Sequence, residues 1–128
     1  MKRCPIDNSI KMIGRKFTLH ILRNMILLKQ RRFSQFLGSI EGISTKTLSI
    51  RLNEMEKEGL ITRVVISTKP VQIEYSLTEK GETFEPILKL LGEFSVKYEP
   101  AVIFKNGKTR GPDGVFGRGV RLSSVYEY

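Results

Sequence analysis

The sequence predicts a mainly α-helical fold with one small antiparallel β-hairpin, an α+β class. Two observations support this prediction. Up to Gly59, apolar residues recur every three or four positions, which is the period of helices buried on one side. From Leu60 the period changes to two, and β-branched residues become frequent on both sides of a Lys-Pro turn, which is typical of a hairpin.

The first two helices are predicted from their apolar stripes. Pro5 suits a first helical turn, isoleucines follow at four- and three-residue steps, and Gly14 offers a left-handed stop. Residues 16–28 repeat the pattern, with Leu22 on the flank of a second stripe. This second stripe consists of Phe17, Ile21, Met25 and Leu28. We expect the second helix to be buried on that side.

Hydroxyl residues mark the starts of the next two helices. Ser34 is predicted to cap a short helix over residues 35–40. Ser44 is placed to cap a longer helix over residues 45–58, and Gly59 gives that helix a C-terminal stop.

The hairpin and the last helix follow. Strands are predicted over residues 60–67 and 71–77, and they must pack against the helices because two strands alone are only marginally stable. Thr78 is expected to cap a short helix, and Pro86 lies at the start of a longer one over residues 85–98.

The chain is predicted to form one domain and a tail. Residues 1–99 are expected to be the folded domain, which binds its partner and dimerises. Residues 100–128 are rich in glycine and basic side chains and are expected to be flexible or loosely structured. Residues 101–104 and 120–126 have enough β-branched and apolar character for short strands.

Composition favours a polyanionic partner and argues against an enzyme. The 22 basic residues exceed the 13 acidic ones, giving a net charge of +9, and the excess belongs mainly to the first 37 residues. One cysteine excludes an internal disulfide and a cysteine-rich metal site, and one histidine, His20, leaves little for metal or acid-base chemistry. We expect no catalytic residue, metal site or cofactor. No apolar run or signal peptide predicts membrane contact, so a cytoplasmic protein is expected.

The fourth helix has two different faces. Leu48, Leu52 and Met55 share one side, and Lys46 and Asn53 lie opposite. Thr47, Ser49, Ile50 and Lys57 complete or border this second side. Cations, an amide, hydroxyls and an aliphatic group suit the edges of DNA bases, although a merely solvated face is the alternative.

The order of helix, turn, capped helix and hairpin is that of a winged helix-turn-helix, in which the second helix enters the major groove and the hairpin reaches the flanking backbone. Ser44 and Lys46 are expected at phosphate near the helix start, and Arg51 is placed for phosphate rather than bases. Arg31 and Arg32, in a short segment predicted to be extended, would neutralise phosphates.

The sequence resembles the HxlR-type regulators, a branch of the MarR-like winged helix proteins. The resemblance runs from Cys4 to about Tyr98 and rests on "CPI", "IGRKFTLHIL", "RRFSQF", "GISTKTLSIRLNEMEKEGLI" and "IEYSLTEKG" in this order. It implies a homodimer that binds double-stranded operator DNA. The DNA-binding residues expected from helix pattern and resemblance together are Arg31, Arg32, Ser34, Ser44, Thr45, Lys46, Thr47, Ser49, Ile50, Arg51, Asn53, Lys69 and Gln72.

Some positions depart from the family pattern. Phe17 replaces a usual tryptophan and Arg15 a frequent glycine, whereas Ile50 replaces a polar residue and Gln72 a basic one. The last two bear on base preference and on the contact of the wing.

The resemblance also concerns Cys4 and the dimer. Cys4 corresponds to a sensing cysteine, so a small electrophile or oxidant is a possible effector, acting through a Cys4–Cys4′ bridge or an adduct; the alternative is a structural residue that starts a helix. The apolar residues near the C-terminus could close the monomer core or form a two-fold interface, and we favour the interface. Its predicted residues are Ile6, Ile10, Ile87, Leu88, Leu91, Phe94 and Tyr98.

The sequence therefore favours a dimeric, sequence-specific transcriptional regulator. The alternative is a winged-helix module that contacts protein or RNA without operator-specific DNA binding, as the balanced charge of residues 38–63 allows. An enzyme is the third class, and no nucleophile-base pair, phosphate loop or metal constellation supports it.

Overall fold

The computed structural model describes residues 3–104. The chain divides into two compact units, the first ending at Phe84 and the second beginning at Glu85. The elements of the first unit are α1 (Pro5–Ile13), α2 (Thr18–Leu27), α3 (Phe33–Ser39), α4 (Thr45–Lys57), β1 (Ile61–Thr68), β2 (Val71–Leu77) and α5 (Glu79–Glu82). Within residues 3–104, no helix has the length and apolar character to cross a membrane.

The connection between α1 and α2 differs from the prediction. Gly14 ends α1 and donates its N–H to Ile10, but its φ of −79° lies in the right-handed region, so the predicted left-handed stop was wrong. Glycine is required there because a Cβ would collide with the carbonyl oxygen of Ile10. The left-handed residue is Phe17, with a φ of 79°, and α2 therefore begins at Thr18 rather than at residue 16.

The core of the first unit is built on α2. Its predicted stripe is confirmed at Phe17, Ile21 and Met25, which are buried, whereas Leu28 is only half-buried. α2 packs against β2, α3 against α4, and α4 against β1. The other elements contribute buried apolar residues that include Phe36, Ile40, Ile43, Leu48, Leu52, Met55, Leu60 and Ile61.

The start of α3 is held by an amide, not by the predicted serine. The Gln35 side chain accepts hydrogen bonds from the backbone N–H groups of Arg31 at 2.8 Å and Arg32 at 3.0 Å. Arg32 is the N-cap residue, and an arginine side chain cannot accept a hydrogen bond. Ser34 lies inside the helix, so its predicted capping role was wrong.

Both ends of α4 follow the prediction. The Ser44 hydroxyl accepts a hydrogen bond from the Thr47 backbone N–H at 3.1 Å, which confirms the N-cap. Gly59 has a φ of 77°, and the N–H groups of Gly59 and Leu60 bond to the carbonyls of Glu56 and Met55. This is a Schellman motif, which needs a left-handed residue after the helix.

The predicted hairpin is confirmed, and the segment before α3 bonds to its second strand. β1 and β2 pair antiparallel from Ile61–Leu77 to Thr68–Val71, with an irregularity between Val65 and Ser67. The Tyr75 N–H also donates to the Arg31 carbonyl at 2.7 Å. The short segment before α3, which was predicted to be extended, is therefore attached to the edge of the hairpin.

The described part of the second unit consists of α6 (Glu85–Tyr98) and α7 (Pro100–Ile103). Residues 101–104, whose composition allowed a short strand, instead form a helical turn that Pro100 begins, and the N–H of Phe104 bonds to the Pro100 carbonyl at 2.8 Å. Residues 120–126, the other stretch that allowed a strand, lie outside the described residues, as does the rest of the tail from residue 105.

Candidate nucleic-acid interface

The two faces of α4 differ in burial. Leu48, Leu52 and Met55 are buried, while Lys46 and Asn53 on the opposite side are exposed. Ile50 lies on the exposed side with 43% of its surface accessible. The exposed face therefore combines a cation, an amide and an aliphatic group, which are side chains that can contact base edges in a major groove.

The N-terminal end of α4 is rich in hydroxyl groups. Ser44, Thr45 and Ser49 are exposed and Thr47 is half-buried. The Ser44 hydroxyl lies 3.0 Å from that of Thr47, so both groups belong to the cap and keep further hydrogen-bonding capacity. The positive end of the helix dipole, together with exposed Lys46, favours an anion there.

Arg31, Arg32 and Ser34 are exposed around the start of α3. Three contacts fix this region relative to the hairpin. The Tyr75 N–H donates to the Arg31 carbonyl, the Arg31 guanidinium lies 3.5 Å from Ser76 Oγ, and the Phe36 and Tyr75 rings pack with their centroids 6.4 Å apart. Because α3 also packs on α4, the two arginines are attached to the same framework as the exposed face of α4.

The hairpin carries the other predicted contacts near its tip. Lys69 occupies the two-residue turn with Pro70, and Gln72 pairs with Ser67. Both predicted residues are exposed, and so are Val65 and Val71 beside them. The tip of the hairpin thus presents the Lys69 cation and the Gln72 amide beside exposed valines.

Arg51 differs from the other predicted arginines because its guanidinium has two close partners inside the protein, whereas exposed Arg31 has one long side-chain contact, 3.5 Å from Nη1 to Ser76 Oγ. Arg51 Nε donates to the Lys16 carbonyl at 2.8 Å, and Nη1 lies 2.6 Å from Glu54 Oε1. Its side chain is only 20% exposed. The structure therefore groups Arg51 with the body of the protein rather than with the exposed face of α4.

Asn24 is a buried polar residue that sequence reasoning missed. Its Nδ2 donates to Gln30 Oε1 at 3.0 Å and to Ser39 Oγ at 2.9 Å, and its backbone carbonyl accepts from the backbone N–H of Gln30. These bonds join α2, the turn before α3, and the end of α3. The available signal was an asparagine inside an otherwise apolar helix, where an amide needs partners.

Cys4 and His20 lie apart from this surface along the chain. Cys4 is exposed and is the N-cap residue of α1. His20 packs edge-on against the Phe17 ring, with centroids 5.7 Å apart, and the pKa of its imidazole is lowered by partial burial and by nearby Arg23.

The predicted dimer residues fall into two groups. Ile6 and Ile10 on α1 are exposed. On α6, Leu88 is only 7% exposed, so it is not available to a partner, contrary to its predicted role. The exposed apolar residues of α6 are Ile87, Leu90, Leu91, Phe94 and Tyr98.

One face of α4 is apolar and buried, and the other is exposed and mainly polar. Together with the packing of α3 on α4 and the hairpin that follows, this arrangement defines a winged helix-turn-helix DNA-binding protein. A solved MarR-family transcriptional regulator from Porphyromonas gingivalis W83 superposes with a TM-score of 0.68 at 30% identity, covering 77% of this chain and 95% of that one. The redox regulator HypR in its reduced form gives a TM-score of 0.69 at 30% identity, covering 77% and 97%.

The sequence comparisons give the family. Residues 12–102 match the HxlR-like helix-turn-helix family, and the chain belongs to it. An uncharacterized HTH-type transcriptional regulator of Synechocystis, sll1512, is 39% identical over 85 residues, which are 66% of this chain and 62% of the relative. The chain is therefore a member of a family of helix-turn-helix transcriptional regulators, and the resemblance found in its motifs is confirmed.

Proposed function

We propose that this protein binds a two-fold operator in double-stranded DNA as a homodimer and regulates transcription from it. The observation that carries the proposal is the exposed face of α4, on which Lys46, Ile50 and Asn53 stand opposite a fully buried leucine side. Such a face fits base edges in the major groove, and the capped N-terminus directs positive potential towards the phosphates.

The residues divide into two roles. Lys46, Ser49, Ile50 and Asn53 are proposed to select bases, since their side chains lie on or beside the exposed face. The proposed phosphate contacts are Arg31, Arg32, Ser34, Ser44, Thr45, Thr47, Lys69 and Gln72. Arg51 is left out of both sets, because its guanidinium already binds the Lys16 carbonyl and Glu54.

The dimer is proposed from the surface of α6. Ile87, Leu91, Phe94 and Tyr98 follow each other at steps of four, three and four residues and are all exposed, which gives a stripe suited to pairing with the same helix of a second copy. Exposed Ile6 and Ile10 give α1 a similar stripe. A two-fold dimer would present two copies of α4 to two half-sites.

The effector is proposed from Cys4. HypR, whose structure is similar, is described as a redox regulator. Cys4 is exposed and begins the helix that carries Ile6 and Ile10. A disulfide between two Cys4 thiols, or addition of a thiolate to an electrophile, would therefore change a surface that we assign to the dimer.

The test is selection of bound fragments from random double-stranded DNA, followed by binding measurements on the selected site and on random duplex at several salt concentrations. Asn53→Ala should change the preference among site variants by about 1–3 kcal/mol at one base pair per half-site. Arg32→Ala should weaken both DNAs equally and reduce the salt slope by about one.

Two outcomes would contradict the proposal. Equal effects of both substitutions on the selected site and on random DNA would refute the division of roles. Recovery of no preferred duplex, together with displacement of DNA by competitor RNA, would favour a winged helix used for another partner.

A further inference from the structure

Arg15 lies in the connection between α1 and α2 and contacts the C-terminal half of α4. Its Nη1 donates a hydrogen bond to Glu58 Oε1 and lies 2.7 Å from Glu54 Oε2. The two glutamates are one helical turn apart, so one guanidinium spans both carboxylates. The hydrogen bond that Arg15 donates to Glu58 raises the pKa of Arg15, and the nearby charges of Glu58 and Glu54 act in the same direction.

A second arginine holds the same helix to the same connection. Arg51 on α4 donates to the carbonyl of Lys16, the residue that follows Arg15, and also binds Glu54. Glu54 therefore has an arginine on each of its two oxygens, at 2.6 Å and 2.7 Å. The contacts run in both directions, from the connection to α4 and from α4 to the connection.

The C-terminal end of α4 has further polar attachments. Lys80 Nζ donates to the Glu58 carbonyl at 2.6 Å, and the Thr78 hydroxyl bonds to the carbonyls of Gly59 and Leu60. The buried leucine side of α4 seats the helix on the core, but apolar contacts are non-directional and allow the helix to rotate somewhat about its axis. The charged contacts add direction, because a guanidinium that spans two carboxylates has few satisfactory geometries.

These contacts also change the charge that α4 shows to DNA. Glu54, Glu56 and Glu58 place three carboxylates in the last two turns of a helix that must approach a polyanion. The side chains of Glu54 and Glu58 are only 25% and 22% exposed, so water compensates them poorly if Arg15 is removed. An isolated exposed ion pair contributes little to stability. In this network the two carboxylates are partly covered, so they have few partners other than the two arginines.

We propose that Arg15 is a positioning residue for DNA binding: it fixes the orientation of α4 and neutralises its C-terminal carboxylates without contacting DNA itself. The inference rests on the proposed role of α4 in the major groove.

The experiment compares Arg15→Ala with wild-type protein on the selected DNA site across a salt series. We expect affinity to fall about tenfold, a size typical of residues coupled in one ionic network. The slope of log affinity against log salt should stay unchanged, because Arg15 neutralises no phosphate. Adding Glu58→Gln to Arg15→Ala should recover most of the affinity, since it removes the charge left without a partner.

Two further variants control the comparison. Lys11→Ala removes a basic residue from the same part of the chain whose partner is Asp7, not α4, and should leave affinity nearly unchanged. Arg15→Lys keeps the charge, but its side chain is shorter and reaches the two carboxylates less closely, so we expect an intermediate loss. This variant also serves if Arg15→Ala melts below the assay temperature.

Three results would overturn the proposal. The first is a salt slope reduced by about one in Arg15→Ala with no recovery by Glu58→Gln, which would make Arg15 a phosphate ligand. The second is an unchanged affinity of Arg15→Ala, and the third is an equal loss of affinity in Lys11→Ala. Failure of the proposed function is distinct, because wild-type protein would then prefer no duplex. In that event the melting temperatures of Arg15→Ala, with and without Glu58→Gln, would still show whether Arg15 holds α4.

Discussion

At the scale of single residues, Ile50 is an exposed aliphatic group on a helix face that otherwise offers polar contacts. The 5-methyl group of thymine is its apolar counterpart in the major groove. We expect replacement of one thymine per half-site by uracil, which removes only this methyl, to weaken wild-type binding. Loss of one buried methyl corresponds to about 0.8 kcal/mol, or about a fourfold change in affinity per half-site.

Titration of a series of uracil-substituted sites would check this prediction. Ile50→Ala should bind the thymine and uracil forms of the sensitive site equally, whereas Ser49→Ala should keep the difference. A wild-type protein indifferent to uracil at every thymine would show that Ile50 does not read a methyl group.

Cys4 gives a second prediction at this scale. Treatment with a disulfide-forming oxidant such as diamide should link two chains, because two Cys4 thiols lose two protons and transfer two electrons to the oxidant. We expect a band of doubled mass under non-reducing conditions, with a change in operator affinity that a dithiol reductant reverses.

The matched variant is Cys4→Ser, which keeps the size of the residue and removes the thiol. It should form no bridge and its operator affinity should not respond to diamide. If its affinity changes as much as that of the wild-type protein, the thiol has no sensing role.

At the scale of elements, Asn24 is fully buried and connects α2, the turn that follows it, and α3 through its side-chain hydrogen bonds. Asn24→Ala leaves the amide of Gln30 and the hydroxyl of Ser39 with fewer partners. We expect the free energy of unfolding to fall by about 1–3 kcal/mol, measured by urea denaturation. Asn53→Ala, at an exposed asparagine, is the control and should change stability by less than about 0.5 kcal/mol. Equal stability of the two variants would mean that water replaces the lost amide.

The elements themselves were largely predictable because their determinants are local. The period of the apolar residues gave α2 and α4, and Ser44 and Gly59 gave the ends of α4, since a cap depends on residues within one turn. The start of α3 was mispredicted because serine and glutamine can both cap a helix by different bonds, and the backbone geometry selected Gln35.

The surroundings of the candidate interface were less predictable, because they depend on contacts between distant parts of the chain. Arg51 has the same helical position whether it faces phosphate or Glu54; its hydrogen bond to the carbonyl of Lys16, which is 35 positions earlier, holds it on the side of Glu54. On α6, Leu88 and Leu91 are equally apolar, and periodicity alone cannot tell which of two adjacent apolar stripes becomes buried.

At the scale of the whole molecule, the charge distribution and the proposed symmetry have to agree. The basic excess lies in the first 37 residues, which include Arg31 and Arg32, whereas residues 64–100 are net acidic. α6, within that acidic part, carries the exposed apolar stripe. The arginines proposed to meet phosphate and the apolar stripe of α6 therefore belong to different stretches of the chain, as expected if one stretch meets DNA and the other meets a second copy.

The dimer gives the last prediction. Phe94 is 62% exposed in the middle of the stripe on α6, and its ring lies 5.3 Å from that of Tyr98. Phe94→Glu would place two carboxylates at a two-fold interface without disturbing a buried side chain. We expect sedimentation equilibrium to show monomers and circular dichroism to show unchanged helix content.

DNA binding should then separate the monomer from the dimer. In a dimer, binding of one α4 raises the effective concentration of the other at the second half-site, so disruption should weaken binding to the full operator by about 100-fold or more. Affinity for a single half-site should be unchanged, because α4 is intact. Lys89→Ala, on the same helix but outside the stripe and paired with Glu93, should remain dimeric. A Phe94→Glu protein that sediments as a dimer and binds the full operator normally would exclude the α6 stripe as the interface.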